Sequence, residues 1–167
     1  MYSVATIEEY AQRPREERMA RVERTPAELV DAIRGASTAV LARRPAPTTW
    51  AATEVICHLR DNEEWFLERM KLVVAMDLPR FVATNPDRWA EERQYLTNDG
   101  ALALGAFTRR RGETLDFLRK LPPDGWSRAG VHADSRGRRT IDEFLSVMAW
   151  HDDNHLDQLR RALAGRP

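Results

Sequence analysis

A chain of 167 residues, 43% hydrophobic and 31% charged, has the balance of one soluble globular domain with a core of its own. Its 26 basic and 26 acidic side chains cancel, so no overall field selects nucleic acid or an anionic membrane, and no apolar run of about 18 residues offers a membrane span. The single cysteine, Cys57, excludes an intrachain disulfide; with no apolar signal stretch after Met1-Tyr2-Ser3, a cytoplasmic protein is expected.

Residues 1–24 read as an N-terminal extension. Thr6 and Glu9 have the form of a capping box, Pro14 should end that helix early, and Arg15 to Arg24 is mostly charge. Thr25-Pro26-Ala27-Glu28 reads as the start of the first long helix, with Thr25 as cap and Glu28 closing the box. Leu29, Val30, Ile33, Ala36, Val40 and Leu41 follow at helical spacing until Pro45 and Pro47.

A second helix is expected from Thr48 or Thr49 to about Met76, with Val55, Leu59, Phe66, Met70 and Val73 as its stripe and His58 on the flank. Residues 78–98 read as an irregular connection pinned by Trp89 and Tyr95. The third helix runs from about Asp99 to Leu121, and residues 122–139 again read as loop, anchored by Trp126. Thr140 with Glu143 opens the last helix. No stretch alternates with period two, so the fold expected is all-α: a four-helix bundle over 25–165 with a short N-terminal helical extension.

The last helix carries the chemistry. His151 and His155 stand one turn apart on the face that also holds Ile141, Phe144, Met148, Leu159 and Ala162. Imidazoles on a core-facing stripe need polar partners, and a metal ion satisfies both at once. His58 on another long helix completes a three-imidazole set, the arrangement of a catalytic zinc site with one open position; nickel or iron would also accept it. Core histidines satisfied by one another are the competing reading. Glu54, Asp61, Asp152 and Gln158 are the candidates to orient the rings. His151-Asp152-Asp153-Asn154-His155 is not read as a zinc-protease motif, because aspartate replaces the glutamate and nothing after His155 offers a third ligand. His132 lies in a Gly-rich loop where it could approach the metal or cap a turn, and Cys57 reads as a small buried residue. Arg109-Arg110-Arg111 and the arginines from Arg136 to Arg139 read as solvated faces.

Several segments in order resemble the DinB/YfiT-like metal-dependent four-helix proteins, over about residues 25–160. They are Trp50 to Leu59 around His58, Trp89 to Tyr95, Gly130-Val131-His132, Thr140-Ile141, and His151 to Leu159. The resemblance implies an up-up-down-down bundle, often a homodimer, with nickel or zinc held by His58, His151 and His155. It also implies transfer or isomerisation reactions that use low-molecular-weight thiols such as bacillithiol, mycothiol or glutathione, although many members have no known activity. Two functions follow as expectations. One is a metal-dependent thiol transferase acting on small electrophiles; the other is a non-catalytic metal-binding or stress-response bundle in which the ion is structural.

Overall fold

The computed structural model describes residues 4–134 and 136–167. Short helix α1 (Ile7–Ala11) leads into the long α2 (Arg15–Ala32), and α3 (Thr38–Leu41) links it to the long α4 (Ala52–Ala75). After α5 (Pro86–Glu92) come the long α6 (Gly100–Arg119) and α7 (Ile141–Leu163). Helix α4 packs against α6 and α7, and α2 packs against the same two, which makes the expected four-helix bundle.

The start of the first long helix is not at Thr25. Helix α2 begins at Arg15 and passes straight through Pro26. A proline lacks the N–H that would bond the carbonyl four residues back. That carbonyl, of Val22, accepts instead from Arg111 Nη1 at 2.6 Å, so the interior proline leaves no orphan. Thr25 donates its hydroxyl to Asp152 rather than capping, and Glu28 pairs with Arg21 at 2.8 Å. The helical extension is packed: α1 has the expected Thr6–Glu9 capping box and lies on α7, Tyr10 and Val22 are in the core, and the Tyr10 hydroxyl donates to Asp153. Helix α2 also stops well short of Pro45, because Gly35 turns the backbone left-handed at φ 76° before Ser37 caps α3.

The stretches expected to be irregular hold a small sheet. Strand β1 (Arg80–Phe81) pairs parallel with β2 (Ala129–His132), which pairs antiparallel with β3 (Arg138–Thr140). Strands this short carry no readable alternation. Gly130 is required where β2 crosses the Phe81 ring: a Cβ there would stand 2.2 Å from Cζ. Residue 100 begins α6 just after its cap, with Asp99 accepting from Ala101 and Leu102 N–H, and Thr140 and Glu143 form the expected box on α7.

The core falls into two apolar clusters. One gathers Phe66, Met70, Leu115, Leu118, Phe144 and Met148; the other gathers Val55, Ile56, Leu104, Phe107, Leu156 and Leu159. Between them lies a layer of buried polar groups from all four long helices: Thr25, His58, Asp61, Glu63, Arg111 and Asp152. Arg111, expected on a solvated face, is 1% exposed at the centre of this layer. It bonds Asp152 at 2.6 and 3.0 Å and Glu63 at 2.8 Å. Burial alone would lower its pKa, but Asp152 and Glu63 outweigh that and hold it above the ordinary value.

Candidate metal centre

Side-by-side packing of α4 and α7 brings the three expected histidines together on one edge of the polar layer. The Thr140–Glu143 box sets the start of α7, and helical spacing then stacks His151 and His155, with ring centroids 4.3 Å apart. His58, 4% exposed, enters from α4, its centroid 5.1 Å from His151 and 4.4 Å from His155. The Nε2 atoms of His58 and His151 are 3.0 Å apart, and one nitrogen from each of the three rings lies within 4.8 Å of the others. A tetrahedral ion with bonds of about 2.0–2.1 Å needs ligand nitrogens roughly 3.4 Å apart, so the set fits a divalent ion after small ring adjustments.

The surroundings orient two of the rings. Gln158 Oε1 accepts from His155 Nδ1 at 2.7 Å, which leaves His155 Nε2 as the lone-pair nitrogen. The Asn62 amide, one turn beyond His58, lies against that ring, 3.0 Å from Nδ1, while also donating to the His58 carbonyl. Of the candidates read from sequence, only Gln158 touches a histidine. Glu54 is taken by Arg44 and the Ala51 N–H, Asp61 by Arg60, Arg93 and Tyr95, and Asp152 by Arg111 and Thr25. Asn62 stands four residues after His58, a spacing that puts both on one helix face and is the signal the sequence carries for this contact.

Burial, with His155 adding repulsion, pushes His58 down to about 3. Burial also lowers His151 well below its usual value and lowers His155. All three are therefore neutral at pH 7, the form that binds metal. In the unfolded chain the same rings take up protons near pH 6.5. Below that pH the unfolded state binds more protons than the folded one, so stability is complete above about 6.5 and falls as pH drops toward the folded values. Metal-free protein is expected to show a lower urea midpoint at about pH 5 than at about pH 7.5. An unchanged midpoint would contradict neutral burial of these rings.

The three histidines border a cleft of about 770 Å³, large enough for a small organic molecule. Trp50, Trp65, Phe66, Phe144 and Trp150 give it apolar walls. Cys57 stays outside it, buried against the Tyr95 carbonyl with its pKa pushed up to about 11 by burial, which suits a packing residue and not a nucleophile. His132 does reach the cleft, from strand β2, and so does Arg139 from β3.

A family model described as the DinB superfamily matches residues 21–159. The chain is 24% identical over 135 residues to YfiT of Bacillus subtilis (strain 168), described as a probable metal-dependent hydrolase; the match covers 81% of this chain and 76% of YfiT. The solved structure of YfiT, described as having an unusual four-helix bundle topology, superposes with TM-score 0.83 at 21% identity, over 100% of this chain and 93% of that one. The mycothiol-dependent maleylpyruvate isomerase shares the fold at TM-score 0.72 and 16% identity, over 90% of this chain and 62% of that chain. No helix among the described residues is long and apolar enough to cross a membrane.

Proposed function

The chain belongs to the DinB superfamily, and on that premise we propose that His58, His151 and His155 hold a divalent zinc or nickel ion used for thiol transfer to small electrophiles. The observation that carries the reading is three neutral imidazoles converging on one wall of an apolar cleft. A bound divalent ion supplies Lewis acidity, which lowers the pKa of a thiol or water molecule that reaches it. The protein's part is to hold the three rings, exclude bulk water with tryptophan and phenylalanine walls, and seat the electrophile.

Thiols are favoured over water for two reasons. Asp152 stands where a zinc protease has its catalytic glutamate, yet it is 1% exposed and bound to Arg111 and Thr25, so it has no freedom to act as a base. Among the described residues Asp87 is the only carboxylate lining the cleft, and it also borders a second hollow with Arg44 and Glu54. The mycothiol dependence of the isomerase with this fold points the same way. Among the described residues no fourth histidine, cysteine or carboxylate joins the trio, which supports an open site over a closed structural one.

Purified protein is expected to contain about one zinc or nickel ion per chain by elemental mass spectrometry. Once reconstituted, it should convert a small aromatic electrophile only when bacillithiol, mycothiol or glutathione is present. Turnover with water alone would replace thiol transfer by hydrolysis. A full metal load with no turnover under any of these conditions would leave the ion a structural role.

A further inference from the structure

The hairpin end of the cleft carries a second set of groups that the metal reading does not use. His132 is 4% exposed and borders the cleft, and its Nε2 is buried with no hydrogen-bond partner among the described residues. Its other nitrogen, Nδ1, faces Arg69 Nη1 at 3.1 Å. A guanidinium only donates, so Nδ1 is the acceptor and the ring proton of the neutral imidazole sits on Nε2. Burial, with Arg69, Arg136 and Arg139 adding repulsion, holds His132 down at about 4, so the neutral form is the one present at pH 7. Nε2 is therefore a buried N–H donor that lacks an acceptor, a state that costs free energy unless a ligand or water supplies one.

The charges around it are unbalanced although the whole chain is neutral. Asp134 pairs with Arg136. Arg69 is buried and forms no ion pair with a carboxylate among the described residues: it bonds the Val82 carbonyl and His132 and stacks on Trp65 at 3.0 Å. Arg139 is half-buried and lines the cleft, and its guanidinium makes no hydrogen bond or ion pair with any described residue. Glu143, the carboxylate whose charge bears on Arg139, is engaged in the cap at Thr140. Among the described residues this wall thus offers donors and an excess of positive charge, from Arg69, Arg136 and Arg139 against Asp134.

We propose that His132 and Arg139 form a carboxylate-binding subsite, so that the molecule brought to the three histidines is an organic acid. The proposal rests on the metal-site reading for what happens at the other end of that molecule. Phe144 and Phe66 stand between the two ends, with centroid distances of 6.0 Å from His132 to Phe144, 6.2 Å from Phe144 to Phe66, and 5.7 Å from Phe66 to His151. The carboxylate of the substrate is accordingly several bonds away from its reacting atom, with an apolar section lying over the two rings.

Calorimetric titration of the full-length protein with 4-phenylbutyrate and with its uncharged partner 4-phenylbutanamide tests this. The acid is expected to bind roughly tenfold tighter or better than the amide. Arg139→Gln should abolish that preference, and Arg139→Lys should keep part of it, which guards against a folding defect in the first variant. Equal binding of acid and amide by the wild type would overturn the proposal. So would a preference that survives Arg139→Gln. Titrating His151→Ala in parallel separates this failure from failure of the metal site: a preference kept there belongs to the hairpin. A preference lost there, but kept in Arg139→Gln, assigns the carboxylate to the histidines and overturns the subsite.

Discussion

Arg111→Ala is expected to destabilise the protein by about 3–5 kcal/mol, the cost typical of breaking a buried ion pair from one side. The side chain is 2% exposed, and its two carboxylate partners, Glu63 and Asp152, are each 1% exposed. Removing the guanidinium leaves both acids buried without a cation, and it strips the Val22 carbonyl of the donor that stands in for the missing N–H of Pro26. Four long helices are loosened at one point, since Val22 belongs to α2, Glu63 to α4, Arg111 to α6 and Asp152 to α7. Arg111→Lys should recover little, because an ammonium cannot fork to two acids and a carbonyl in fixed directions. A variant that neutralises all three members, Arg111→Met with Glu63→Gln and Asp152→Asn, should recover much of the loss. By comparison, removing the exposed Arg88–Glu92 pair should leave stability essentially unchanged. Urea unfolding at neutral pH measures all four. A loss below about 1 kcal/mol for Arg111→Ala would show that the layer rearranges instead of breaking.

The second large effect is on the metal. His151→Ala is expected to reduce the bound ion from about one per chain to none, and with it the stabilisation that the ion confers. For wild-type protein with free metal at about a thousandfold above its dissociation constant, that stabilisation is about 4 kcal/mol. Thermal unfolding with and without added zinc or nickel should show a large upward shift for the wild type and none for the variant. Without metal the two proteins should differ less, since among the described residues the ring makes its polar contact only with His58. Equal metal content in both would remove His151 from the ligand set.

Residues that act locally were legible before the structure. The Thr6–Glu9 and Thr140–Glu143 boxes depend on neighbours in sequence, and the spacing of His151 and His155 follows from the helix that Thr140 starts. Interactions across helices were not legible. Pro26 has every local mark of a first helical residue, and only Arg111, brought in from α6, explains why the helix runs through it. The triplet Arg109-Arg110-Arg111 looks uniform along the chain, yet helical rotation exposes Arg109 and buries Arg111. Glu54 and Asp61 were reasonable partners for His58 by position, but Arg44 and Arg93 reach them first. The charge on the β2–β3 wall was hidden for a related reason: a neutral total conceals any local excess.

The hairpin and the three histidines are held by different parts of the fold. The histidines are scattered along the chain and fixed by the packing of two long helices, so altering their spacing means altering the bundle. His132 and Arg139 lie on the neighbouring strands β2 and β3, which pair with each other and pack on α4 and α7. On the proposed reading, substitutions at His132 or Arg139 would change which molecules the cleft admits while His58, His151 and His155 stay where the long helices put them.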